Sequence, residues 1–128
     1  MQRLFLFLAG AFALLAVGLG AFGTHVLQGR LAEGMQQAFE TGVRYHFGHS
    51  LGLGLVALTL GRIGSERLLV WSGFFMSAGI VLFSGSIYVM AFTGSRMFAT
   101  VTPVGGTAFL LAWGLFLAGV IRREAGPF

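Results

Sequence analysis

The sequence predicts an all-α integral membrane protein: a four-helix bundle with a short interfacial helix between its first and second spans. Three observations carry this. Of the 128 residues, 56% are hydrophobic and 9% charged, with a mean hydropathy of +0.87. A soluble domain carries about 25% charged residues, so this chain cannot cover a water-facing surface and its default solvent is lipid. The apolar residues also fall into runs of about 20, the length a helix needs to cross the hydrocarbon. A single transmembrane domain over residues 1–128 is expected, with spans at 4–22, 41–60, 68–92 and 98–121.

The first span, 4–22, follows Arg3 and exceeds the 7–15 residues of a signal-peptide core, so it reads as a retained span. Gly10, Ala13, Val17 and Gly20 give it a small-residue spacing that lets a neighbour approach. Gly23 and Thr24 are expected to break it, with Thr24 capping the next helix. In the polar stretch 25–38, continued by Phe39, Leu27, Leu31, Met35 and Phe39 form one apolar row. Such a row on a polar segment predicts a helix lying at the membrane surface, weakened by Gly29 and Gly34. The second span begins polar near Glu40 and carries two overlapping small-residue pairs, Gly48 with Gly52 and Ser50 with Gly54. A turn from Gly61 to Arg67 leads to the third span, where Trp71 is an interfacial anchor. Gly94, Ser95 and Arg96 make the next turn. Pro103 sits near the start of the fourth span, where its missing N–H costs nothing; if the helix begins earlier, Pro103 kinks it. The chain is expected to close in water at Arg122, Arg123 and Glu124.

The net charge of +4 comes from eight arginines and four glutamates, with no lysine, aspartate or cysteine. Without cysteine, disulfides, thiolate nucleophiles and Cys-based metal sites are excluded. No basic face or reader motif points to nucleic acid. Four spans put Arg3, Arg62, Arg67, Arg122 and Arg123 on one side and Arg30, Arg44 and Arg96 on the other. That excess predicts both termini in the cytoplasm.

This topology gathers the polar residues at the outer end. His25 leaves span one there, Glu40, Arg44, Tyr45, His46 and His49 open span two, Tyr88 lies about a turn from the end of span three, and Arg96 follows it. Ionisable groups at membrane depth are costly unless paired or wet, and so default to functional hypotheses. Glu40 and Arg44 stand in the favourable i,i+4 order for an ion pair, which reads first as a structural pair holding the loop to the bundle. Tyr45, His46 and His49 fall on the opposite side of the helix. His46 and His49 could share a metal only with His25 and Glu40 completing the set, and zinc needs three or four ligands; no metal and no cofactor are expected. Ser84, Ser86, Thr100 and Thr102 read as inter-helix contacts and the 14 phenylalanines as lipid-facing bulk and packing. The catalytic motifs H-E-x-x-H, G-x-S-x-G and the phosphate loop are absent. Gly18 to Gly23 matches G-x-G-x-x-G by letter but follows no strand, so the nucleotide reading fails on context.

Gly20-Ala-Phe-Gly-Thr-His-Val-Leu27, Phe39-Glu-Thr-Gly-Val-Arg-Tyr45 with His49, Leu82-Phe-Ser-Gly-Ser-Ile-Tyr88, and Thr102-Pro-Val-Gly-Gly106 with Ala112-Trp-Gly114 resemble the small integral membrane proteins of domain-of-unknown-function family 423. That family is related to transmembrane protein 256. The resemblance covers nearly the whole chain. It implies four spans in a bacterial inner membrane and supplies no activity. Where this chain has His46, the family pattern often has glutamine, which argues against a metal-ligand role there. The expected function is a non-enzymatic binding or accessory protein. Its candidate ligand-binding residues are His25, Glu40, Arg44, Tyr45, His49, Tyr88 and Arg96, offered to an anionic ligand, a lipid headgroup or a partner. The alternative is a small transporter or channel subunit acting as an oligomer. Membrane lipids, and a homo-oligomer or larger membrane complex, are the expected partners.

Overall fold

Between Arg3 and Arg30 the chain has no charged residue and no proline, so in lipid its backbone can be satisfied only by helix formation. Such a helix is the first element of the computed structural model, which describes residues 1–63 and 66–123. Helix α1 runs over Gln2–Phe22 and continues through a π-helical turn, Gly23–Leu27. Helix α2 is Glu33–Ile63. Helix α3 covers Arg67–Thr93 as one rod, with a π turn at Ile80–Ser84. Helix α4 is Val101–Arg123. Among the described residues there is no strand. Gly64 and Ser65 of the expected turn, and Glu124 of the expected tail, lie outside the described residues.

Among the described residues three helices are long and apolar enough to cross a membrane: Gln2–Leu27, Arg67–Thr93 and Val101–Arg122. At 31 residues, α2 has the length, but the polar residues of its N-terminal half dilute its hydropathy.

The junction between α1 and α2 departs from expectation. Gly23 does not end α1: it lies against the Phe39 ring, which occupies the space a side chain would need. Thr24 caps nothing; its Oγ1 donates back to the Gly20 carbonyl at 3.1 Å. No separate interfacial helix forms over 25–38, because Gly29 adopts a left-handed φ of 82° and reverses the chain. Residues 25–27 finish α1 and residues 33–38 begin α2. The apolar row survives in another form: Leu27, Leu31, Met35 and Phe39 pack in one cluster with Tyr88 and Ala91.

Helices α2 and α3 form the centre, with α1 laid along α2 and α4 along α3. The ends match an alternating course. Gln2 lies against Gly61, and Arg122 pairs with the α3-capping Glu66 at 3.7 Å. At the opposite end Phe22 and Phe39 meet Phe92, and Ser86 bonds Thr102. The main apolar core, with Phe5, Leu53, Val56, Leu69, Met76 and Ala112, fills the end that holds the termini. Within that core Ser72 Oγ donates to the Ala112 carbonyl at 2.6 Å. Between this core and the Phe39 cluster lie buried polar residues, where Ser84 Oγ donates to the Gly42 carbonyl at 2.7 Å, so these serines clamp helices together. Of the small-residue pairs, Gly52 is packed against Met76 and Trp113, whereas Gly48 has no neighbour where a Cβ would stand.

Candidate functional site

Helix α2 sorts its polar residues by face, since positions four apart drift only about 40° around the axis. Thr41, Tyr45 and His49 form one row, which looks toward α4. His46 and Ser50 point inward and are buried. Glu40 and Arg44 are exposed and border the grooves between α1 and α2.

The first row lines a cleft of about 600 Å³ between α2 and α4, floored by Phe83 of α3. His49 is fixed at both ring nitrogens. Trp113 Nε1, which can only donate, gives its hydrogen to His49 Nε2 at 3.0 Å. Nε2 is therefore bare, Nδ1 carries the proton, and it donates to the Tyr45 carbonyl at 2.8 Å. The His49 ring stacks on Phe109 with centroids 3.6 Å apart and planes 15° apart. Tyr45 lies parallel to His49 within 15° and to Phe109 within 29°. Thr107 spends its hydroxyl on the Pro103 carbonyl at 3.0 Å. Among the described residues, the hydroxyls of Thr41 and Tyr45 have no hydrogen-bond partner.

The inward residues make a second unit. His46, 3% exposed, is hydrogen-bonded through Nδ1 to the Tyr88 hydroxyl at 2.8 Å. Its Nε2 is buried beside the Phe12 backbone of α1, too poorly aligned for a hydrogen bond of ordinary geometry, and has no other partner among the described residues. The Tyr88 ring rests on Phe39 at 5.3 Å.

The structure thus brings together Tyr45 with His49, and Tyr88 with His46. It does not bring the remaining site residues to them. His25, Glu40, Arg44 and Arg96 are exposed. The expected Glu40–Arg44 ion pair is absent, and among the described residues the one ion pair is Arg122–Glu66. Glu40 receives instead a long bond from Gln36 at 3.5 Å. One step in angle around α2 sends Arg44 toward α1 and Tyr45 toward α4, which divides the single outer cluster. Phe83, Phe109 and Trp113 are missing from the sequence-derived site. Phe109, 4% exposed, belongs to the phenylalanines that serve packing. Trp113 carried a signal: an indole in mid-span needs a hydrogen-bond partner, and a histidine at similar depth on α2 supplies one. Among the described residues no group of three or more His, Asp or Glu could hold a metal.

Comparison with known proteins agrees with the sequence motifs. Residues 19–106 match a family described as "Protein of unknown function (DUF423)". The chain is 40% identical to the UPF0382 membrane protein YwdK of Bacillus subtilis over 121 residues, 94% of this chain and 98% of that one. This chain belongs to that family. It is also 41% identical to the UPF0382 inner membrane protein YgdD of Escherichia coli, over 96% of this chain and 93% of that one. The UPF0382 membrane protein SAB0533 of Staphylococcus aureus is 32% identical, with 94% and 98% covered. No solved structure matches the chain. The family match takes in Thr41, Tyr45, His46, His49, Phe83 and Tyr88, and stops before Phe109 and Trp113. It makes this chain a membrane protein with transmembrane helices and leaves its function unknown.

Proposed function

We propose that this chain is a four-span inner-membrane bundle, with both termini in the cytoplasm, that acts as a non-enzymatic binding protein. Its site is the cleft beside His49, and its ligand is an amphipathic molecule drawn from the bilayer. The observation that carries this reading is the Trp113–His49 bond at 3.0 Å. It holds α2 and α4 across a cleft that they do not close, and its walls are mainly apolar and aromatic, as ligand sites are. An anionic ligand held by Arg44 and Arg96 is less well supported, because neither arginine lines this cleft. Transport is less well supported too. Ser84 is fully buried and bonded to Gly42 of α2, while Ser77 and Thr59 bond carbonyls of their own helices, so the scarce midplane polarity goes into packing.

The test is native mass spectrometry of the detergent-purified protein beside Gly106→Leu. Gly106 lines the cleft, and a Cβ there meets only ordinary contact with Phe83 at 3.8 Å, so leucine is chosen to extend from that Cβ into the cleft. A lipophilic species should accompany the native protein and be lost from the variant. Identical profiles would remove the cleft from the proposal. A C-terminal fluorescent reporter that stays dark in cells would reverse the orientation.

A second reading, an accessory subunit or oligomer, is favoured by a different observation. The groove of about 530 Å³ between Val17, Gly20 and Ala21 of α1 and Arg44, Phe47 and Gly48 of α2 leaves the Gly48 backbone open, and small residues let a membrane helix approach closely. Because the chain has no cysteine, Gly48→Cys alone tests it. Rapid disulfide dimerisation in the membrane supports a second copy at this face.

A further inference from the structure

We infer that the cleft beside His49 takes a flat conjugated ring carrying acceptor oxygens and an apolar tail, the chemistry of a membrane quinone. This rests on the binding reading above and names its ligand class. Three features of the cleft select a ring over a plain acyl chain.

The first is the wall. Tyr45, His49 and Phe109 lie within 15° to 29° of one plane. Rings prefer offset or edge contact with other rings, and Tyr45, 44% exposed where Phe109 is buried, is the member of the set with free surface. A flat ligand extends the set there. The second is rigidity. His49 cannot turn, because Trp113 donates to one nitrogen and the other donates to the Tyr45 carbonyl. A wall fixed in advance lowers the ordering cost of binding, and a flexible chain has no use for its flatness.

The third is the distribution of unspent polarity. The cleft follows α4 from Pro103 to Trp113, ten residues or about 15 Å at helical rise. The nitrogens of His49 and Trp113 and the Thr107 hydroxyl are already bonded within the chain. The Thr41 and Tyr45 hydroxyls are not. They lie toward the Pro103 end and can donate to a carbonyl oxygen. From there the lining turns apolar toward Leu110, which is 75% exposed and opens the cleft to lipid. Donors at one end and a greasy exit at the other suit a polar ring with a long tail. An acyl chain offers the donors nothing.

The chain contains its own reporter. Its two tryptophans are Trp71 and Trp113; Trp71 is exposed on another helix, so Trp71→Phe leaves Trp113, in the cleft wall, as the sole tryptophan. In that background, in phosphatidylcholine nanodiscs, a decyl-tailed benzoquinone is titrated and Trp113 quenching followed. Saturable quenching is expected, unaffected by the surrounding lipid. It should be abolished by Gly106→Leu. Tyr45→Phe, which keeps the ring, should raise the apparent Kd about fivefold, as loss of one hydrogen bond implies. Quenching that rises linearly with quinone and is the same in Gly106→Leu is simple partitioning and overturns the inference. Equal competition by added phosphatidylcholine overturns it as well. If Gly106→Leu loses its co-purifying lipid yet the quinone never saturates, the cleft remains a binding site and only the ring chemistry is wrong. Should Gly106→Leu fail to fold, an unchanged Kd in Tyr45→Phe is by itself enough to reject the assignment.

Discussion

Trp113 reaches from α4 to α2, its indole N–H donating to His49 Nε2 at 3.0 Å. Few contacts join these two helices directly, and this bond stands beside the His49–Phe109 stack as a tie across the cleft. Hydrogen bonds between membrane helices contribute about 0.6 kcal/mol on average and about 1.7 at most. Trp113→Phe and His49→Phe should each lower stability toward SDS. The double variant should lose less than the sum, with a coupling near that average. A coupling of zero would mean that the two side chains are neighbours without being bonded.

The His46–Tyr88 bond predicts a larger asymmetry. Tyr88→Phe leaves the buried Nδ1 without a partner, in a ring whose Nε2 has only the poorly aligned Phe12 backbone beside it. An unsatisfied buried polar group costs about 1–3 kcal/mol, whereas replacing both partners with apolar groups can be nearly neutral. Tyr88→Phe is therefore expected to melt well below the native protein in detergent, and His46→Leu combined with Tyr88→Phe to recover much of the loss. A double variant worse than Tyr88→Phe would show that His46 contributes through another contact.

Arg44 should be structurally idle. Both it and Glu40 are exposed and no ion pair joins them. Arg44→Ala should leave the melting temperature in detergent unchanged, within the roughly 0.5 kcal/mol typical of surface substitutions. A marked fall would mean that the pair forms in the membrane and is buried there.

Much of the helical framework was legible because lipid removes alternatives: an uninterrupted apolar run can only be a helix. Ser84 and Ser86 were also legible as inter-helix contacts, and the structure bonds them to Gly42 and Thr102. The junction after α1 was not. Gly23 reads as a helix breaker by propensity, but a glycine is equally a place where a ring can press against a backbone, and only the position of Phe39 decides between them. The candidate site failed at the same level. Sequence puts Arg44, Tyr45 and His46 at one level of α2, yet one residue is 100° of rotation, and the three end on different sides of the helix. His46, absent from the sequence-derived ligand-binding residues, is the most buried histidine of the chain. Trp113 lies 64 residues from His49, a pairing that no local pattern can reveal.

The adjacent glycines of α4 should respond oppositely to alanine. Gly105 lies against the π turn of α3, and a Cβ there would overlap the backbone at Phe83. Backbone cannot rotate aside as a side chain can, so Gly105→Ala must part the helices, at about 1–3 kcal/mol. Gly106, one residue on, has room: its Cβ would stand 3.8 Å from the Phe83 ring. There alanine adds helix propensity, about 0.5–1 kcal/mol. In SDS titration Gly105→Ala should unfold earlier than the native protein and Gly106→Ala no earlier. Equal behaviour of the two would mean that α4 does not sit against Phe83 in this register, and the cleft between α4 and α2 would need to be redrawn with it.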